Sequence, residues 1–269
     1  MTAPRTGFAY LDEPARDGCV LALAHRGGAY HPEIEGLENT MAAFRHAAQL
    51  GFGYLETDVH VTRDGVLLAF HDQVLDRVSD HDGAIAELTH AEVGRALVGG
   101  RERVPTLLEL LEAFPEARFN IDIKSEGAVD ALARLVAEHD LWDRVLVGSF
   151  SPRRLSRFRR LTRRRVPTSA HPGEVLAFRL LPSGRLADLL TRRRVAALQV
   201  PHRRGRWTVV TPGLVRRAHA AGKHVHVWTV DHPAEMRELL DRGVDGLISD
   251  RTDILKAVLV ERDQWRETA

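Results

Sequence analysis

With 269 residues, 44% of them hydrophobic and 28% charged, the chain can bury a sizeable core without covalent staples, as one large α/β barrel or two modest domains. Lys+Arg at 38 against Asp+Glu at 37 leaves a net charge of +1, which gives no global sign of a nucleic-acid partner. The lone cysteine, Cys19, excludes an intrachain disulfide and leans toward a reducing compartment, and the apolar runs are strand-length, so no transmembrane helix is expected.

The first eighteen residues contain no uninterrupted apolar core and make a poor signal peptide, in keeping with a cytoplasmic protein. The first strand is expected at 20–25 (VLALAH), ending on His25-Arg26-Gly27-Gly28, and a helix over 40–50 with Gly51 as its C-cap follows. A second strand at 54–61 (YLETDVHV) turns through Arg63-Asp64-Gly65 into an extra strand within 66–72 (VLLAFHD). Residues 73–105 are polar and loop-rich, so about 66–105 reads as an insertion. Strands are then expected at 118–124, 145–150, 166–171, 196–201, 224–231 and 244–249. Helices are expected at 106–114, 128–139, 152–161, 184–194, 212–221, 233–242 and 252–265. Gly222 and Gly243 fit C-caps, and Asp231-His232-Pro233 is a helix start with proline near its first position.

Eight strand–helix units without a Pro/Ser-rich linker predict one domain over 1–269, a (β/α)8 TIM barrel with a small insertion after the second strand. A doubly wound open sheet would want a glycine-rich phosphate turn after the first strand, and GxGxxG is absent. Barrel enzymes place their chemistry at the C-terminal strand ends, so polar residues there identify the candidate site.

Glu56 and Asp58 are spaced i, i+2 on a predicted strand and point the same way. Barrel strands are covered on both faces, so two carboxylates on one side call for a cation; a solvated strand face is the plain alternative. Asp122 and Lys124 repeat the spacing in Asn120-Ile121-Asp122-Ile123-Lys124, either as a third ligand with a phosphate-side lysine or as a structural ion pair. All-oxygen ligands suit Mg²⁺ or Ca²⁺. His25 and His71 end their strands beside these carboxylates and suit proton transfer near neutral pH. Arg26 offers a planar fork to phosphate. Trp228, on the same strand face as His226, either approaches the mouth or fills the barrel.

Together these residues resemble the glycerophosphodiester phosphodiesterase family. The motifs, in order, are His25-Arg26-Gly27, Glu38-Asn39-Thr40, Glu56-Thr57-Asp58, Thr62-Arg63-Asp64-Gly65 leading to His71-Asp72, Asn120 to Lys124, Trp228-Thr229-Val230, and Gly243-Val244-Asp245-Gly246. The resemblance runs from about residue 20 to about residue 255 and implies a metal-dependent phosphodiesterase on a (β/α)8 barrel. It further implies hydrolysis of a small-molecule glycerophosphodiester to an alcohol and sn-glycerol 3-phosphate. By the same resemblance His25 and His71 match the acid/base pair, and Arg26 and Lys124 the phosphate contacts. Glu56, Asp58 and Asp122 match the metal ligands, and Glu38 a carboxylate at the mouth. The sequence departs from the family in carrying Asp122 where many members have Glu, and Leu37 where Pro often precedes Glu-Asn-Thr. Rival readings are a lysophospholipase D or phosphatidylinositol phospholipase C-like lyase on the same barrel, and a non-catalytic phosphate- or polyol-binding barrel.

The arginine-rich stretch 153–165 (RRLSRFRRLTRRR) reads as a solvated helix face, with weak contact to an anionic phospholipid surface as the lesser alternative. Arg192-Arg193-Arg194 reads as serving a helix C-terminus.

Overall fold

The computed structural model describes residues 4–16 and 19–267. Its main strands are β1 (Leu21–His25), β2 (Tyr54–Val61), β3 (Leu67–Ala69), β4 (Arg118–Ile123), β5 (Val145–Gly148), β6 (Ala197–Pro201), β7 (His224–Trp228) and β8 (Gly246–Ser249). All but β3 are parallel and pair in the order β5-β4-β2-β1-β8-β7-β6. The two edges meet through the stretch expected as the strand 166–171. Val147 bridges Thr168, and Ser169 bridges Ala197. Ser169 N donates to Val147 O at 3.0 Å and Ala170 N to Ala197 O at 2.9 Å. Pro167 lacks an N–H to donate, so this stave pairs through single bridges instead of a ladder. The result is the expected (β/α)8 barrel.

The longer helices are α1 (Ala9–Arg16), α2 (Met41–Gln49), α3 (Leu107–Ala113), α4 (Ala128–Glu138), α5 (Pro152–Leu161), α6 (Pro172–Leu180), α7 (Gly184–Leu190), α8 (Pro212–Ala220), α9 (Pro233–Asp241) and α10 (Thr252–Glu261). Two of them, α1 and α6, fall where no helix was expected. In α6, Pro172 takes the first turn and Glu174 reaches back to the His171 N–H, so a Pro-Gly pair that reads as a breaker starts a helix instead. Helix α7 stops at Leu190 instead of 194, and α10 at Glu261 instead of 265.

The larger core lies between the sheet and its helices and includes Phe44, Phe119, Leu132, Phe158 and Leu259. Each such fully buried side chain contributes roughly 1.5–3 kcal/mol. Inside the barrel, Leu21, Leu23, Leu146 and Ile248 pack with Tyr10 and Leu11 of α1, which covers the N-terminal end of the strands. The Tyr54 hydroxyl fastens that helix by donating to Tyr10 O at 2.8 Å.

The β2–β3 hairpin forms as expected, with Gly65 at φ 88° in its turn. The rest of the insertion is more than polar loop. Leu68, Phe70, Leu75, Ile85, Val93, Ala96, Val98 and Val104 make a separate buried cluster. Their irregular spacing shows no helical or strand period, which hides a core from sequence patterning. Arg159 also departs from the solvated face expected for 153–165. It is buried on α5 and binds Glu174 with its two terminal nitrogens, at 2.6 and 3.0 Å, and also Thr168 Oγ1 and Ser169 O. Among the described residues no helix is long and apolar enough to cross a membrane.

Candidate active site

The strand ends collect almost every residue expected at the site. His25 closes β1, in register with Glu56 on β2. The backbone then turns through Arg26 (φ 49°) and Gly27 (φ 86°). A Cβ on Gly27 would stand 2.7 Å from the Ala43 Cβ, so only glycine lets this loop pass so close to α2. His25 Nδ1 lies 2.9 Å from Asp250 Oδ1, just beyond β8. That contact makes Nδ1 the protonated nitrogen and leaves Nε2, on the Glu56 side at 3.8 Å from Oε2, to exchange protons. Asp250 is itself held: Asp231 Oδ1 accepts from the Asp250 N–H at 2.8 Å and from Ser249 Oγ at 2.9 Å. Burial pulls the His25 pKa down, but the Glu56 charge and the Asp250 hydrogen bond outweigh it and the net shift is upward.

On β2, Glu56 and Asp58 point into the barrel and are almost wholly buried. Among the described residues Glu56 accepts a hydrogen bond only from the Arg26 N–H, at 3.2 Å, and burial followed by the Asp58 charge raises its pKa to about 7. Asp58 is pushed up by burial too, yet Lys124 and Arg26 overcome this and lower it. The Lys124 ammonium sits 2.9 Å from Asp58 Oδ1 and 2.7 Å from Asp122 Oδ2, and Arg26 Nε lies 3.2 Å from Asp58 Oδ2. Asn39 Nδ2 adds a 3.2 Å hydrogen bond to the same oxygen and is fixed by Thr57 Oγ1 at 2.8 Å. Asp58 and Asp122 are paired residues of adjacent strands, which is why one lysine reaches both.

His71 follows β3. Its Nδ1 is 2.6 Å from Asp72 Oδ1, its backbone carbonyl lies 3.0 Å from His60 Nε2, and Asp72 Oδ2 accepts from Arg77 Nε. Arg77 also grips Glu38, and Glu38 Oε1 binds Arg26 Nη1 at 3.1 Å. Glu38 is raised by burial but lowered further by Arg77 and Arg26, so it stays ionised. A continuous chain of charge therefore runs from His71 through Asp72, Arg77, Glu38, Arg26 and Asp58 to Lys124 and Asp122. Trp228 reaches the rim, where its ring meets Phe150 edge-on at 5.7 Å, and Phe150 is 60% exposed. His226 lies deeper, with Nδ1 3.2 Å from Gln199 Nε2, which in turn binds Asn120 Oδ1 at 2.8 Å.

Three members of this site escaped the sequence reading. Asp250 stands directly after the last predicted strand and was findable by the strand-end rule. Phe150, the last residue of the strand expected at 145–150, was findable the same way, whereas Arg77 gave no periodic or spacing signal. Among the described residues, no three carboxylates or imidazoles are already gathered into a metal-binding cluster. Lys124 and Arg26 instead stand between the carboxylates.

Residues 25–254 match the model of the glycerophosphoryl diester phosphodiesterase family. A probable glycerophosphodiester phosphodiesterase 2 from Mycobacterium tuberculosis is 43% identical over 262 residues, covering 96% of this chain and 98% of the relative. A glycerophosphodiester phosphodiesterase from Caldanaerobacter subterraneus subsp. tengcongensis is 29% identical over 252 residues, 87% of this chain and 96% of that one. Among solved structures, an Oleispira antarctica phosphodiesterase in complex with the product sn-glycerol-3-phosphate superposes with a TM-score of 0.73 at 23% identity. That similarity covers 91% of this chain and 98% of the neighbour, and it supports the barrel fold. With the family pattern matched from the first histidine at β1 to the helix after β8, and a close relative aligned along nearly its whole length, the chain belongs to the glycerophosphoryl diester phosphodiesterase family of phosphoric diester hydrolases.

Proposed function

We propose that the chain hydrolyses glycerophosphodiesters to an alcohol and sn-glycerol 3-phosphate, using a divalent cation and two histidines. The observation that carries this reading is the pairing of each histidine with its own aspartate, His25 with Asp250 and His71 with Asp72, around one carboxylate cluster. The product bound in the Oleispira antarctica relative supports the same chemistry.

The donor chemistry fits a hard cation. Glu56 is a buried carboxylate short of positive charge, and Asp58 and Asp122 already converge on one, the Lys124 ammonium. Glu56, Asp58 and Asp122 would hold Mg²⁺ or Ca²⁺. When bound, such an ion withdraws charge from phosphoryl oxygens and favours attack at phosphorus.

Arg26 and Lys124 supply fixed positive charge to the remaining phosphoryl oxygens. His25 and His71 divide the proton transfers, one taking a proton from the attacking group, which is either water or the substrate's own glycerol hydroxyl with water then opening the cyclic phosphate, and the other giving one to the leaving alkoxide. Asp250 and Asp72 hold the rings so that each presents Nε2. Glu38 positions Arg26, and Trp228 with Phe150 lines the path of the substrate's organic part. We take the whole chain as one catalytic domain working in the cytoplasm.

The test is a substrate panel. Purified protein with Mg²⁺ or Ca²⁺ is given glycerophosphocholine, glycerophosphoethanolamine, glycerophosphoinositol or lysophosphatidylcholine, and sn-glycerol 3-phosphate is measured by a coupled dehydrogenase. Release from at least one deacylated diester is expected. No release from any of the three in folded, metal-supplied protein would reject the reading. Preferential cleavage of lysophosphatidylcholine to lysophosphatidate would replace it with a lysophospholipase D.

A further inference from the structure

The hexapeptide Leu-Thr-Arg-Arg-Arg-Val occurs twice, at 161–166 and 190–195. Each copy begins on the last residue of a helix, α5 or α7, and leads into a neighbouring stave of the barrel. The two turns have one backbone form. Arg163 and Arg164 stand at φ 50° and 58°, and Arg192 and Arg193 at 56° and 54°. Arg164 N returns to Arg159 O at 2.9 Å and Arg193 N to Asp188 O at 2.8 Å. Thr162 and Thr191 are buried, their hydroxyls donating to Phe158 O and Asp188 O. The staves they feed are tied together by Ala196 N to Thr168 O at 2.9 Å and Thr168 Oγ1 to Arg194 O at 3.1 Å. The turns thus lie side by side at the end of the barrel opposite the mouth.

Glycine or asparagine would hold such left-handed turns with less strain. Arginine at all four positions adds charge at a conformational cost. Arg154, Arg157 and Arg159 of α5 each pair with a carboxylate. Among the described residues, no ion pair joins Arg163, Arg164, Arg165, Arg192, Arg193 or Arg194 to a carboxylate, and Arg165 lies instead over the Trp142 ring at 3.8 Å. Arg164 and Arg192 lie near enough to Arg194 to act on it. Beside this charge stand exposed leucines. Leu161 and Leu190 open the two repeats at 45% and 61% exposure, Leu189 is exposed by 61%, and Leu176 and Leu180 line α6.

We propose that this end of the barrel docks on an anionic phospholipid surface, its arginines at the headgroup phosphates and its leucines in the headgroup–acyl boundary. Unpaired cations flanking an apolar face match such a surface in both charge and polarity. A single-stranded nucleic acid would use the arginines but asks for free aromatic stacking platforms, and the ring beside these turns, Trp142, is already covered by Arg165. A second copy of the chain would set like-charged turns against each other across a two-fold axis. Docking this way keeps the mouth open to water.

The test is co-sedimentation with vesicles of phosphatidylglycerol and phosphatidylcholine in equal parts, against phosphatidylcholine alone. Binding to the anionic vesicles is expected, weakened by salt. The combined Arg163→Gln, Arg164→Gln, Arg192→Gln, Arg193→Gln variant should bind about 100-fold or more weakly. Leu189→Ser with Leu190→Ser should bind roughly tenfold or more weakly. Both variants should turn over glycerophosphocholine as the parent does, which shows that they fold. A Leu190→Trp reporter should shift its emission to the blue on anionic vesicles. Equal binding to both vesicle types, unchanged binding by either variant, an unshifted reporter, or displacement by single-stranded DNA that binds more tightly would each overturn the proposal. So would a leucine-dependent dimer in sedimentation velocity.

Discussion

The guanidinium of Arg77 lies in a fork against the Glu38 carboxylate, with Nη1 2.9 Å from Oε2 and Nη2 2.6 Å from Oε1. Its third nitrogen, Nε, holds Asp72, the partner of His71. One side chain thereby sets the distance between the insertion, which carries His71, and the β1–α2 loop, which carries Arg26. Arg77→Lys keeps the charge but loses the fork. Because small misplacements of reacting groups cost up to about 100-fold in rate, this variant should lose about 10- to 100-fold in kcat with its melting temperature nearly unchanged. A rate equal to the parent's would mean that the insertion is placed by its own packing.

The division of labour between imidazoles and carboxylates is separable by mutation. Removal of a positioned acid or base costs about 10²–10⁴-fold, so His25→Ala and His71→Ala should each lose that much kcat while retaining metal affinity. Glu56→Ala should lose the metal instead. An ester with a p-nitrophenol leaving group needs little protonation and should rescue the variant lacking the acid far more than the one lacking the base. A histidine variant that loses metal as fully as Glu56→Ala would move that imidazole into the coordination sphere.

Chelation should abolish turnover, and Mg²⁺ or Ca²⁺ should restore it. The parallel readout is binding: calorimetry should detect one divalent ion per chain in the parent and none in Asp58→Ala. Full activity in thoroughly chelated protein would defeat the assignment of Glu56, Asp58 and Asp122.

Acid should weaken the fold through His226, which burial holds neutral with its pKa at about 3 against an ordinary value of 6.5. Above pH 6.5 neither the folded nor the unfolded imidazole is protonated, and the group's contribution is fully present. Between 6.5 and about 3 only the unfolded chain takes the proton, so stability falls with pH. The limiting slope is about 1.4 kcal/mol per pH unit for one proton. Urea unfolding of the parent and of His226→Asn across this window should show the smaller acid dependence in the variant. Equal slopes would place the titration elsewhere.

Much of the site was legible because a parallel barrel turns position into geometry. Once 20–25, 54–61 and 118–124 are read as strands, His25, Glu56, Asp58, Asp122 and Lys124 must share the strand ends. Arg77 was illegible for the opposite reason: it meets Glu38 and Asp72 only through loops whose course depends on closed tertiary structure. The insertion shows the same limit, since its core residues from Leu68 to Val104 converge without a period. Helix α6 was missed for a local reason, because Pro172-Gly173 reads as a break until the His171–Glu174 cap is seen.

The closing stave at 168–169 makes the cylinder unequal around its circumference. Its strands fall into two curved shells, β1 to β5 and β6 to β8, joined by a four-residue ladder between β1 and β8 and by single bridges on the far side. The molecule is therefore built like a clamshell, with its hinge at β1–β8 and its catch at Thr168 and Ser169, both gripped by Arg159. His25 and Asp250 face each other across the hinge and not across the catch. Transient parting of the weaker edge, visible as fast amide exchange at Ser169 and Ala170, would leave the proton-handling pair together.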